Sequence, residues 1–252
     1  MSREELYLYD VLNKYQVNNS AKNLAFNTFK PVIQQWAGLH LLDFDFSGST
    51  AKGTEVSCSS DFDFFISLST STPDSLSQIF NSLFNKLSGY SDISIRKQNV
   101  SIGVTWQGQK IDLTPGKKHS GNTNYHSVYK NKTDSWTQTN IQQHINIVRG
   151  SQRINEIKLA KIWRENHQLE WPSIFLELFV IDSLRGHLQN NLAANFAKVL
   201  TDIFTTVETK FIQDPSNTNN ILSNDLNQSE KIRLRNQAYT SLQSRTWSHV
   251  VW

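Results

Sequence analysis

The sequence predicts an α+β protein: a mixed β-sheet with helices in the first half of the chain, then a helical second half. Three observations carry this prediction. Short runs of β-branched and aromatic residues, separated by turn residues, recur before residue 115. Apolar residues at helical spacing dominate after residue 140. With 252 residues, seven Trp and fourteen Phe, the chain has the length and apolar bulk for a sizeable core, as one bilobal unit or two small domains.

Taken in order, residues 3–17 and 21–37 are expected to be helical. Their apolar positions include Leu6, Val11 and Leu12, then Leu24, Phe26, Phe29, Val32 and Ile33. A strand is expected over 39–46, ending at Gly48, and a second in the aromatic run that follows Asp61. Pro73-Asp74-Ser75 opens a helix that carries Leu76, Ile79, Phe80, Leu83, Phe84 and Leu87 and stops near Gly89. Three β runs follow, around 93–95, at 100–106 and at 110–113, with Gln107-Gly108 as the hairpin turn between the last two. The polar stretch from Pro115 to about Thr133 is expected to be loop. Further helices are expected over 154–166, from Pro172-Ser173 through Leu184, over 192–211 and over about 229–244, with Asp214-Pro215-Ser216-Asn217 as a turn. The expected division is therefore a sheet domain over 1–133 and a helical lobe over 134–252.

Composition excludes several functions. Cys58 is the only cysteine, so neither a disulfide framework nor a cysteine-based zinc site fits within one chain, and a reducing cytoplasm is the expectation. No apolar run is long enough to span a bilayer and no signal-peptide pattern opens the chain, so no membrane partner is expected. A net charge of +3 is too small to argue for nucleic acid by itself.

The functional signal lies in residues 48–63, Gly-Ser-Thr-Ala-Lys-Gly-Thr-Glu-Val-Ser-Cys-Ser-Ser-Asp-Phe-Asp. Gly48-Ser49 ends a strand, and this suits a phosphate because the missing side chain permits close approach. Asp61 and Asp63 alternate on the next strand and so project from one face. Two carboxylates presented together bridge hard cations, which in turn bind a nucleoside triphosphate. Asp112, in Lys-Ile-Asp-Leu-Thr-Pro, supplies a third carboxylate. If its strand lies beside that of Asp61 and Asp63, the three converge as two-metal phosphoryl transfer requires. The competing reading leaves Asp61 and Asp63 in solvent and Asp112 capping a turn. An acid in the middle of an apolar strand speaks against it.

Other features carry less. Asp43 and Asp45 form a second Asp-Phe-Asp, but they precede the Gly-Ser element and read as solvent-facing residues of an edge strand. Trp136 is read as core, with base stacking as the alternative. His119, His126 and His144 have no zinc spacing. Lys117-Lys118-His119 reads as a solvated loop or as the rim of a nucleotide cleft.

Together, Gly48-Ser49, Asp61-x-Asp63 and Asp112 resemble the signature of the DNA polymerase β-type nucleotidyltransferase superfamily. Gly-Ser-Thr-Ala-Lys-Gly-Thr is similar to two of its branches: the bacterial cGAS/DncV-like nucleotidyltransferases (CD-NTases), relatives of oligoadenylate synthetase, and the archaeal-type CCA-adding enzymes. The runs 134–140, 157–163 and 171–177 look like the helical substrate-binding lobe of that group. The resemblance implies a bilobal fold, with a mixed-sheet palm, a helical lobe and an active site in the cleft between them. It implies that Asp61, Asp63 and Asp112 are catalytic ligands of two Mg²⁺ or Mn²⁺ ions. It also implies that Gly48 and Ser49 contact the phosphates of ATP or another NTP, and that Lys161 and Ser173 hold the triphosphate from the helical lobe. Each has a plainer competitor: Lys161 as a solvated lysine with Lys158 as the ligand instead, Ser173 as a simple helix start. Glu177 is expected to be a buried or paired structural carboxylate.

The leading expectation is a Mg²⁺-dependent nucleotidyltransferase that releases pyrophosphate and makes a cyclic or linear oligonucleotide second messenger, as CD-NTases of antiphage systems do. Alternatives are NTP addition to an RNA 3′ end or a protein hydroxyl, and a nucleotide-sensing module without turnover. Partners beyond the NTP would then be a nucleic acid or protein, as acceptor or activator.

Overall fold

The computed structural model describes residues 2–59 and 61–252. In its first part the elements are α1 (Arg3–Lys14), α2 (Asn19–Ala37), β1 (Leu41–Phe46), α3 (Gly48–Lys52), β2 (Phe62–Leu68) and α4 (Leu76–Leu87). Five strands follow: β3 (Ile93–Lys97), β4 (Ile102–Trp106), β5 (Gln109–Lys118), β6 (His126–Lys130) and β7 (Ser135–Thr139). The remainder is α5 (Ile141–Gly150), α6 (Ile154–Asn166), α7 (Ser173–Ser183), α8 (Leu192–Thr206), β8 (Gln213–Asp214), β9 (Asn217–Ile221) and α9 (Gln228–Leu242).

These elements form two compact units, and neither is continuous in sequence. The sheet unit takes Asn18–Ala51 and Asp61–His144; the helical unit takes the chain up to Val17, the segment that begins at Lys52, and Ile145–Trp252. This corrects the expected split at residue 133. Residues 135–139 are strand, paired to β6 with Tyr129 opposite Trp136. The N-terminal helix instead contributes Leu8 and Val11 to the core of the helical unit.

Among the described residues the sheet has seven strands, in the order β1-β2-β5-β4-β3, with β6 added to β5 and β7 to β6. The β2–β5 ladder is parallel, and the ladders of β1–β2, β3–β4, β4–β5, β5–β6 and β6–β7 are antiparallel. Alternation along β2 divides the sheet into two faces. One carries Phe62, Phe64, Ile66 and Leu68, all buried. Phe64 meets Phe26 of α2 together with Phe44 and Phe46 of β1, at centroid distances of 5.0–6.0 Å. The opposite face carries Asp63 and, in register on β5, Asp112.

Local chemistry sets the ends of these elements. Ser75 caps α4 in a reciprocal capping box with Gln78. Gln107 (φ 48°) and Gly108 (φ 75°) join β4 to β5 with positive φ at both turn residues, as a type I′ hairpin demands. The expectation of a loop from Pro115 to Thr133 was wrong, because β5 runs on to Lys118 and β6 occupies 126–130. Pro115 and the polar Gly-Lys-Lys hide this strand from a composition reading. Pro115 falls between the pairing of β5 with β4, which ends at Leu113, and its pairing with β6, which begins at Gly116. A residue without an N–H is tolerated at such a gap, and the parallel ladder with β2 runs on past it, with Ile66 opposite Pro115.

In the helical unit, Trp163 of α6, Phe175 and Phe179 of α7 and Phe196 of α8 are fully buried in one cluster. Among the described residues no helix is long and apolar enough to cross a membrane.

Candidate active site

The sheet unit brings together the five residues of it that the sequence singled out. Asp63 pairs with Asp112 in the parallel ladder, so both side chains leave the same face. Asp61 lies just before β2, two residues from Asp63, near enough for its charge to act on Asp112. The row continues across the sheet: Asp112 is opposite Gly103 of β4, and Gly103 is opposite Arg96 of β3. Like charges set opposite each other destabilise a sheet, so this row is not a solution that strand pairing favours by itself.

Gly48 and Ser49 meet the row through Asp63. The Ser47 amide donates to the Asp63 carbonyl at 2.8 Å, which places the start of α3 against β2. The Ser49 amide lies 3.4 Å from Asp63 Oδ2. Gly48 has φ 50°, and a Cβ built on it would stand 2.0 Å from Asp63 Oδ2. A side chain at position 48 would therefore be strained and would displace the Asp63 carboxylate, which favours glycine on both conformational and steric grounds.

Asp112 is partly buried. Burial raises its carboxyl above the usual range and the like charge of Asp61 adds to this, while Gln98, Arg96 and Ser101 oppose them. Gln98 Nε2 donates to Asp112 Oδ1 at 2.8 Å. The donor set of the row, three carboxylates with two in electrostatic conflict, matches the chemistry of a hard divalent cation. As they stand, no three His, Cys, Asp or Glu groups among the described residues close around one point tightly enough to enclose an ion. Asp63 sits against the Gly48-Ser49 turn, and Asp112 is bonded to Gln98. Asp43 and Asp45 are exposed on β1, at the edge of the sheet, as expected.

The helical unit gives Lys161 a different occupation from the expected one. It is 1% exposed, and its Nζ donates to Glu177 Oε1 at 2.8 Å and to Thr54 Oγ1 at 3.0 Å. Lys52 Nζ takes the other Glu177 oxygen at 2.5 Å, and Thr54 Oγ1 donates to Glu177 Oε1 at 2.7 Å. Burial alone would raise the Glu177 carboxyl, but Lys161 and Lys52 outweigh it and hold it down to about 2. Burial also pushes the Lys161 ammonium below the usual lysine range, with Glu177 opposing. Glu177 is thus both buried and paired. The second half of the Gly-Ser-Thr-Ala-Lys-Gly-Thr motif, Lys52 and Thr54, serves this cluster.

Ser173 is the first residue of α7, whose N-terminus has no side-chain cap. With Arg164 and Trp171 it lines a cavity of about 560 Å³, rimmed by Glu165, Glu170 and Glu230. Arg164 Nη1 is 3.3 Å from Ser173 Oγ and donates to the Trp171 carbonyl at 2.6 Å. Arg164, which the sequence reading passed over, is thus the cation beside Ser173.

The secondary candidates lie as follows. Trp136 is 60% exposed on β7 and is not core. His126 is buried between Ser67 Oγ and the Asn124 carbonyl, and His119 bonds Ser127. Lys117 and Lys118 belong to β5.

No family model matches the chain, and no curated protein matches it in sequence. Solved structures match it in fold. The Bradyrhizobium diazoefficiens CD-NTase CdnG in complex with GTP superposes with a TM-score of 0.79 at 12% identity, covering 96% of this chain and 90% of that one. The Elizabethkingia meningoseptica CdnE cyclic dinucleotide synthase gives 0.73 at 13%, covering 97% and 100%. The Cid1 poly(U) polymerase gives 0.70 at 12%, covering 98% and 97%. The chain therefore has the nucleotidyltransferase fold that these proteins share.

Proposed function

We propose that this chain is a nucleotidyltransferase that joins an NTP to a hydroxyl and releases pyrophosphate. The observation that carries the reading is the carboxylate row of Asp61, Asp63 and Asp112 beside Gly48-Ser49, on the fold described above. Asp61, Asp63 and Asp112 would hold a pair of Mg²⁺ or Mn²⁺ ions, which when bound supply Lewis-acid activation of the hydroxyl and neutralise triphosphate charge. The Gly48-Ser49 turn, free of a side chain at its first residue, receives the donor's phosphates on backbone amides. The hydroxyl oxygen would bond to the α-phosphorus as the bond to the pyrophosphate oxygen breaks, and Asp112 would take up the hydroxyl proton. Ser173, with Arg164 beside it, is the phosphate-binding candidate of the helical unit. Lys161 enters through Glu177, which it helps to keep ionised and fixed.

For the product, we favour a cyclic or linear oligonucleotide second messenger of the antiphage kind. The likeness to CdnG and CdnE supports this, with coverage near the full length of both partners. The similar likeness to a poly(U) polymerase keeps addition to an RNA 3′ end as the second reading. Incubation with the four NTPs and Mg²⁺ or Mn²⁺ separates them. Pyrophosphate with a nuclease-resistant small product supports the first, and labelling only of added RNA supports the second. Tight NTP binding with no pyrophosphate would refute both and leave a sensing module.

A further inference from the structure

We propose that the β3–β4 hairpin turn aims the third carboxylate, with Gln98 as the positioning residue of Asp112 and Ser101 as the residue that orients Gln98. This rests on the nucleotidyltransferase reading and names residues that neither the motifs nor the superpositions single out.

An ionised carboxylate only accepts hydrogen bonds, so the amide end of Gln98 that faces Asp112 must be its NH₂. Gln98 Nε2 does meet Asp112 Oδ1 at 2.8 Å. The carbonyl end then needs a donor, and Ser101 Oγ supplies one to Gln98 Oε1 at 2.8 Å. Ser101 is 4% exposed, which limits the other partners open to its hydroxyl. The turn itself is closed by the Gln98 amide donating to the Ser101 carbonyl at 2.9 Å, so both residues of the relay are held by one backbone bond.

Gly103 makes the arrangement possible. It pairs with Asp112, and a Cβ at this position would stand 2.6 Å from Gln98 Nε2 and 3.0 Å from Arg96 Nε. Gln98 therefore crosses bare backbone to reach Asp112, with Arg96 beside it. The relay fixes Oδ1 of Asp112, while Oδ2 has only a 3.5 Å approach from Ser101 Oγ. One oxygen is pinned and the other keeps its lone pairs for a hydroxyl or a cation. Such support of a ligating carboxylate typically affects metal affinity or activity by about 10–100-fold.

The test compares wild type, Gln98→Leu and Ser101→Ala. For Gln98→Leu, kcat is expected to fall about 10–100-fold, with the KM for NTP within about twofold. Mn²⁺ affinity, read by electron paramagnetic resonance without turnover, should weaken, while the melting temperature stays level. Ser101→Ala should show a smaller loss of the same kind, because the amide survives but is free to rotate. An unchanged kcat and Mn²⁺ affinity in Gln98→Leu would overturn the inference and leave the enzyme reading intact. Parallel loss of kcat, NTP affinity and melting temperature would also overturn it, by showing a structural role. A wild-type chain that releases no pyrophosphate sinks the underlying reading instead.

Discussion

Glu177 and Asp112 are both acids set in apolar sequence runs, and the fold treats them in opposite ways. Glu177 is 0% exposed, and both its oxygens are taken by ammonium groups from Lys52 and Lys161. Its charge is compensated on the spot, and the cluster ties α6, α7 and the segment that begins at Lys52 into one unit. Asp112 is partly exposed, with a neutral amide at one oxygen and the like charge of Asp61 in its surroundings. Compensated charge holds chain segments together. Like charges brought to one site cost stability, and perturbed carboxylates of this kind cluster at functional sites.

The sharpest way to break this comparison is to neutralise one acid on each side. Asp63→Asn should reduce nucleotidyl transfer by about 10³-fold or more, measured as pyrophosphate release. Its melting temperature should hold, because asparagine keeps the shape of the acid and its Oδ1 can still accept from the Ser49 amide. Glu177→Gln should do the reverse, lowering unfolding free energy in denaturant by about 3–5 kcal/mol because two ammoniums lose their counter-charge. A stability loss in Asp63→Asn, or none in Glu177→Gln, would collapse the distinction.

Acid should act as Glu177→Gln does, and somewhat less strongly. The Glu177 carboxyl is lowered from 4.5 to about 2 in the folded chain. Its contribution is therefore present above the unfolded value and is lost as pH falls through the folded one. That contribution is on the order of 3 kcal/mol. Wild-type stability should fall between about pH 4.5 and about 2 more steeply than that of Glu177→Gln. Equal slopes would show that the carboxylate is not held ionised by its partners.

Smaller effects sharpen the comparison within each side. Gly48→Ala should cost about 10–100-fold in activity, since Asp63 must move and the residue must keep positive φ. Ser173→Ala should raise the KM for NTP only a few-fold, by about the strength of one hydrogen bond. Lys161→Met should lower the melting temperature without raising that KM selectively. A selective KM effect would restore Lys161 as a phosphate ligand.

Much of the fold was legible because its signals are local. The capping residue of α4, the Gln107-Gly108 turn and the helical periodicity of α6 through α8 each occupy a few adjacent residues. The strands at 115–118 and 126–130 were missed, since Pro115 and the lysines obey a pairing pattern that only their neighbours define. The acids at 61, 63 and 112 were legible as unusual residues in apolar runs. Gln98 was not, because a glutamine in a polar turn looks the same whether or not a carboxylate lies above it.

By itself, the sequence determined the residue types, their faces and the class of fold, since alternation, capping and apolar periodicity act over a few residues. Tertiary structure alone decided the partnerships. It set Asp63 beside Asp112 through a parallel ladder between strands about fifty residues apart. It also gave Lys161 to Glu177 rather than to solvent. Contacts that distant depend on register and burial, and neither is written in any short stretch of the chain.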